Sequence, residues 1–412
     1  MRGLGALICG AVLALPQIPA HAAGATAPAP PCRVARGVPG PVAASWAEGR
    51  LDLPRARTLT AGRGATVAVI DSGADASHPM LAGRVAKATD LTGTGTRDCA
   101  GHGTGVAALI AGRDLGGGTG GVAPAARLLV IKQQDTDRDE TGGARLPRAV
   151  RAAADAGARV VNVSIKTGPG PELAEAVRYA QSRDVLIVAA AGNVEKEGGD
   201  AGPAYPASYP GVLSVASLGP DGARAESSSV RSRVDLAAPG KGVPTAWPGG
   251  GYNPQAEGTS YAAAYVSGAA ALVRSRHPHL NQRQVANRIV STADGNAGAG
   301  TGRGMVNPVQ AVTAVIPGET APLPRTSPAP AALTAPEPAD PRTRTLSAAV
   351  TGTALAAAAL AALAGVILPM GRRRRWRPGR AAPPAPTVQD APEIVTGAVQ
   401  GTIGAHPRRP PP

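Results

Sequence analysis

Val67-Ala68-Val69-Ile70-Asp71-Ser72-Gly73 is a short apolar run that ends in a carboxylate and a glycine. A run of this length without polar alternation reads as a strand buried on both faces. Thr66 extends it, and similar runs follow at Leu128–Lys132, Val160–Ile165, Val185–Ala190 and Val212–Ala216. Helical patterning separates them at Gly103–Ala111, Ala144–Ala156, Glu172–Ser182 and Ser260–Arg276. Short strands alternating with helices predict an α/β fold with a mostly parallel central sheet, covered by helices on both faces.

In such a sheet, chemistry collects at the carboxyl ends of strands and at the amino ends of the helices that follow. Asp71 ends a strand, His102 opens a helix in Gly101-His102-Gly103-Thr104-Gly105, and Ser260 opens another in Gly258-Thr259-Ser260-Tyr261-Ala262-Ala263. A serine hydroxyl is a poor nucleophile until a base takes its proton. Imidazole can serve near neutral pH, and a carboxylate holds its tautomer and stabilises the imidazolium. Asn193, in Val188-Ala189-Ala190-Ala191-Gly192-Asn193, adds an amide just past a strand that can donate to an oxyanion beside the Ser260 N–H. Each residue alone has a plainer reading: the aspartate as a helix cap, the asparagine as a turn residue, the histidine as a packed side chain. Together they read as one site. His78, in Ser77-His78-Pro79, is the only rival base; His21, His277, His279 and His406 lack a glycine frame. The histidines show no metal-ligand spacing, so no metal or cofactor is expected.

The 412 residues carry a net charge of +14, 54 glycines, 41 prolines and no phenylalanine. The core must therefore come from Ala, Val, Leu and Ile. The charge does not indicate nucleic-acid binding, because the arginines are scattered and no aromatic side chains interleave with them. One dense run, Arg372 to Arg375 with Arg377, follows a charge-free segment, 346–370, long enough to span a bilayer. Basic residues concentrate on the cytoplasmic side, so this flank predicts a single span with the C-terminus inside; an Ala-rich soluble helix is the plainer alternative. Residues 1–22 read as a secretory signal peptide, with Arg2, the apolar run Leu4–Leu15 and an Ala20-His21-Ala22 cleavage site. The remaining divisions are an extension at 23–61, a catalytic domain at 62–316, a Pro/Ala-rich linker at 317–345 and a basic, Pro-rich tail at 371–412. Cleavage of the leader leaves Cys32 and Cys99. An exported even pair is most simply a disulfide, with two free thiols as the alternative.

Over about 62–316 the sequence resembles the subtilisin-like (subtilase) family. All three catalytic segments occur in the subtilisin order Asp, His, Ser, and Pro203-Ala204-Tyr205-Pro206-Ala207-Ser208-Tyr209-Pro210 leading into Val212–Ala216 also matches. The resemblance implies a three-layer sandwich with about seven strands. The cysteine in Asp98-Cys99-Ala100-Gly101-His102, a second in an N-terminal arm, and a linker before one span are similar to the mycosins, membrane-bound subtilases of type VII secretion. That resemblance implies an arm wrapped on the catalytic domain and fastened by the Cys32–Cys99 disulfide. There is one departure. Subtilases usually carry Ser-Leu-Gly where the specificity pocket is lined, and this chain has Ser164-Ile165-Lys166. Lys166 either obstructs substrate pairing or favours an acidic side chain.

The expectation is a selective endopeptidase, anchored in the cell membrane with its catalytic domain outside, cleaving protein substrates and associated with a type VII secretion complex. A mainly structural subunit of that complex is the alternative.

Overall fold

Alternate residues of the first apolar run face opposite ways. Val67 and Val69 enter one apolar cluster, Ala68 and Ile70 another, as the period of two along a strand requires. This strand therefore divides two cores. The computed structural model describes residues 32, 34–40, 43–118, 120–136, 142–194, 202–295, 298–319 and 341–374. The expected signal peptide, most of the linker and nearly all of the tail lie outside the described residues.

In chain order the first elements are α1 (Trp46–Arg50), α2 (Leu53–Leu59), β1 (Thr66–Asp71), β2 (Val85–Asp90), α3 (His102–Ala111) and β3 (Arg127–Lys132). There follow α4 (Gly142–Asp155), β4 (Val160–Val163), α5 (Pro171–Ser182), β5 (Leu186–Ala190), β6 (Leu213–Leu218) and β7 (Leu236–Pro239). The rest are β8 (Val243–Trp247), β9 (Gly251–Ala256), α6 (Thr259–Arg276), α7 (Gln282–Ser291), α8 (Pro308–Thr313) and α9 (Pro341–Arg373).

Seven strands form one sheet in the order β2-β3-β1-β4-β5-β6-β7, and every neighbouring pair in it is parallel. All their carboxyl ends thus lie along one edge. Because β1, β4 and β5 are adjacent, Asp71, the Ser164–Lys166 segment and Asn193 leave the sheet side by side. The two cores lie on its two faces. One contains residues of α3 and α6 together with Ala47, Leu51, Leu53 and Ala56 of the N-terminal arm. The other contains residues of α4 and α5. The architecture is the expected subtilisin-like α/β sandwich.

Small side chains let the central helix sit deep. Residues Thr259–Arg274 of α6 are all buried, so this stretch has no solvent face, as befits a core helix. At Gly268 a Cβ would stand 2.5 Å from Val122 Cβ, inside contact distance. The arm is held at two further points. Val38 and Tyr252 exchange N–H···O bonds of 2.8 and 2.9 Å, and the sulfurs of Cys32 and Cys99 stand 2.10 Å apart, the spacing of a disulfide.

Two local expectations change. The run Val160–Ile165 stops pairing at Val163; beyond it the Ser164 carbonyl accepts from Ser260 Oγ at 3.3 Å instead of continuing the ladder. The antiparallel hairpin of β8 and β9 was not anticipated. Pro254 and the polar residues of Gly251–Ala256 hide the second strand, whose pairing depends on β8 and on Val38.

Helix α9, a unit of its own, contains the 29-residue stretch Thr345–Arg373, apolar and long enough to cross a membrane. Leu346, Leu355, Leu360 and Leu363 are exposed, and Arg372 and Arg373 end it.

His78 ties the loop after β1 to the hairpin. Its Nε2–H donates to Gly251 O at 3.0 Å and its Nδ1 accepts from Met80 N–H at 3.1 Å, which fixes a neutral ring. Burial pushes its pKa below the ordinary 6.5, against the pull of the Gly251 carbonyl and the Asp75 carboxylate. Burial lowers His277 likewise. The unfolded chain takes up these protons near pH 6.5 while the folded chain does not, so stability must fall as pH drops through that value. Denaturant midpoints at pH 7.5 and 5.5 should show this fall, and His78→Asn, although less stable at pH 7.5, should flatten it. Parallel profiles for the two proteins would refute the assignment.

Candidate active site

The amino end of α3 packs against the carboxyl end of β1 more closely than a side chain permits. A Cβ on Gly103 would lie 2.1 Å from Gly73 O and 3.1 Å from Asp71 Oδ1, so glycine is required there. This approach brings His102, the first residue of α3, to Asp71, the last of β1. His102 Nδ1 lies 2.8 Å from Asp71 Oδ1. A carboxylate only accepts, so Nδ1 carries the proton and the lone pair is on Nε2. Asp71 is fully buried, and the imidazole is 15 % exposed.

A second carboxylate builds the turn that presents the histidine. Asp98, fully buried, accepts from Gly101 N–H at 2.8 Å, Thr104 N–H at 2.8 Å and Thr104 Oγ1–H at 2.6 Å. Ser72 Oγ bridges the two acids, 2.9 Å from Asp98 Oδ1 and 3.2 Å from Asp71 Oδ1, and accepts from Gly103 N–H at 3.0 Å. Behind the turn Gly101 has φ +85°, and a Cβ on it would fall 2.2 Å from Trp247 Cε2. The Tyr261 ring lies 5.2 Å from the His102 ring, centroid to centroid.

His102, Ser260, Asn193, Ser164 and Lys166 line one cleft of about 400 Å³. That volume is in the range of small-ligand and substrate sites. Ser260, at the head of α6, is 5 % exposed. Asn193 has a defined orientation: its Oδ1 accepts from Thr259 N–H and Thr259 Oγ1–H, both at 2.9 Å, which leaves Nδ2 as the group to present to a ligand. Nδ2 lies 3.3 Å from where a Cβ on Gly258 would be, so this glycine keeps space around the amide. His78 is elsewhere, with both ring nitrogens engaged. It cannot compete as the base.

Sequence reasoning missed the supporting residues. Thr259, Ser72 and Asp98 stood inside quoted segments without roles. The available signal for Asp98 was an acid four residues ahead of His102, flanked by small residues that expose backbone N–H groups.

The Subtilase family profile matches residues 62–307, which is the part of the chain that builds this cleft. The chain belongs to the subtilase family. Its relatives within the family include Mycosin-3 of Mycobacterium tuberculosis, 34% identical in an alignment that covers 84% of this chain and 88% of that protein. Thermitase of Thermoactinomyces vulgaris is also 34% identical, covering 64% of this chain and 94% of thermitase. Among solved structures, the MycP3 protease from the type VII (ESX-3) secretion system superposes with a TM-score of 0.61 at 36% identity, covering 69% of this chain and 93% of that one. This subtilase is thus a serine protease with mycosins among its relatives.

The Gly103 contact can be tested without any substrate. A methyl group there must force backbone apart, so Gly103→Ala should destabilise the protein by about 1–3 kcal/mol. Gly49→Ala in α1, where nothing lies within 4 Å of the new Cβ, should be neutral or stabilising by up to ~1 kcal/mol. Denaturant midpoints compare the two; equal midpoints would contradict the close approach.

Proposed function

We propose that this chain is a membrane-anchored, extracytoplasmic serine endopeptidase of a type VII secretion system, with Asp71, His102 and Ser260 as its catalytic triad. The observation that carries this reading is the 2.8 Å Asp71–His102 bond at the cleft that also holds Ser260.

The reaction follows from the groups present. His102 Nε2 takes the Ser260 Oγ proton as Oγ turns from the Ser164 carbonyl to attack the scissile carbonyl of a bound peptide. Asp71, whose Oδ2 is buried without a hydrogen-bond partner among the described residues, stabilises the imidazolium that results. Asn193 Nδ2 and the Ser260 N–H receive the oxyanion; one such donor typically contributes ~3–4 kcal/mol to the transition state. His102 then protonates the leaving amine. Water, deprotonated by the same nitrogen, releases the acyl group and restores the serine.

The anchoring scheme joins six segments: signal peptide 1–22, arm 23–61, peptidase domain 62–316, linker 317–345, membrane helix 346–370 and cytoplasmic tail 371–412. The exposed apolar side chains of α9 and the arginines that end it support this order and orientation. The similarity to Mycosin-3 runs over 84% of the chain, beyond the peptidase domain that thermitase matches, and this supports the narrower assignment to type VII secretion. In this scheme the Cys32–Cys99 disulfide fastens the arm beside the histidine turn.

The full-length protein in detergent, treated with a fluorophosphonate probe, is expected to be labelled at Ser260 alone, and Ser260→Ala not at all. A folded protein that resists the probe would overturn the catalytic reading and leave the structural-subunit reading in its place.

A further inference from the structure

We propose that Lys166 makes the subsite beside Ser260 selective for an acidic side chain, so that the protein cleaves after glutamate or aspartate. This rests on the hydrolytic reading above for its chemistry, but the recognition is a property of the cleft itself.

Placement comes first. β4 and β5 are parallel neighbours, with Val163 opposite Ala189. The segments that leave them, Ser164–Thr167 and Ala190–Asn193, therefore bound the same part of the cleft. A peptide whose carbonyl carbon meets Ser260 Oγ, with its oxygen toward Asn193, has its side chain between these two walls. Lys166 belongs to the first wall. Its stem crosses toward the second, where Cδ lies 3.6 Å from the point a Cβ on Gly192 would occupy. Gly192 has φ +101°, a conformation that glycine adopts and larger residues avoid.

Charge decides what this wall accepts. Lys166 Nζ is buried and has no hydrogen-bond partner among the described residues. A cation removed from water without an acceptor is costly, and a carboxylate supplied by a ligand relieves that cost. Among the described residues that line the cleft, the one carboxylate is Glu257, and its Oε1 accepts from Ser227 Oγ at 2.7 Å. An apolar side chain in the subsite leaves Nζ unpaired, and a basic one is repelled. The cleft that Lys166 helps to line has a volume of about 400 Å³ with the lysine in place.

The test uses full-length protein in detergent and two peptide pairs. One pair differs only by Glu or Gln before the scissile bond, and kcat/KM is compared. The other consists of product-like peptides ending in Glu or Gln, whose binding to Ser260→Ala is measured by calorimetry, with no catalysis required. Wild type should prefer Glu over Gln by roughly 10- to 100-fold, the range for a hydrogen bond to a charged group. Lys166→Arg should keep most of that ratio, Lys166→Met should bring it close to one, and Lys166→Glu should shift preference to a Lys peptide. Thermal melts establish that each variant folds, and Lys166→Arg shows that any loss follows charge rather than packing. Equal handling of Glu and Gln by a labelled wild-type enzyme overturns the inference and leaves the hydrolytic reading intact. Faster cleavage after apolar residues in Lys166→Met, with no Glu preference in wild type, also overturns it and makes the lysine an obstruction. Glu-selective, Lys166-dependent binding by a protein that resists the serine probe upholds this inference and sinks the hydrolytic one.

Discussion

The contact between the first turn of α3 and the end of β1 sets the geometry from which the rest of the site follows. It is a steric constraint before it is an electrostatic one: only glycine at 103 lets the helix come close enough to Gly73 O. Once that separation is fixed, Asp71 Oδ1 and His102 Nδ1 have little choice but to meet, and the ring tautomer is fixed with them. Asp98 and Ser72 then satisfy the N–H groups that the tight turn would otherwise bury unpaired. Polar groups buried at this junction are expensive unless bonded. A dense network is the condition for placing a histidine there at all.

The parallel sheet supplies the remaining components at one edge. Adjacent strands β1, β4 and β5 deliver the carboxylate, the Ser164–Lys166 wall and Asn193, while α6 runs through the core and brings Ser260 up from below. That helix can do so because it is rich in alanine. A core without phenylalanine packs by close approach of backbones rather than by large side chains, and Gly268 against Val122 is one measure of how close. The low aromatic content seen in the sequence is therefore consistent with a well-filled interior.

Much of this was legible before the structure. The apolar runs marked the strands because strands buried on both faces have no polar alternation. The placement of Asp71, His102, Asn193 and Ser260 at or just past strand and helix ends was legible because glycine frames and apolar runs carry local signals. What stayed hidden depends on partners distant in sequence. Gly251–Ala256 becomes a strand only through β8 and Val38. Ser164 leaves the ladder because Ser260, nearly a hundred residues later, bonds to its carbonyl. Thr259 orients Asn193 across 66 positions, and no spacing rule within either segment could reveal that. For Lys166 the residue was conspicuous, but its two readings differed only in whether space and an unpaired charge remained, which is a three-dimensional question.

The central claim is that one preformed constellation binds the tetrahedral state of peptide hydrolysis. The most direct measurement is an experimental structure of the full-length protein with a peptidyl boronate. The account predicts a covalent bond from Ser260 Oγ to boron, one boronate oxygen held by Asn193 Nδ2 and the Ser260 N–H, and His102 still joined to Asp71 through Nδ1. A boronate bonded to another residue, or an Asn193 amide turned away from it, would contradict the account.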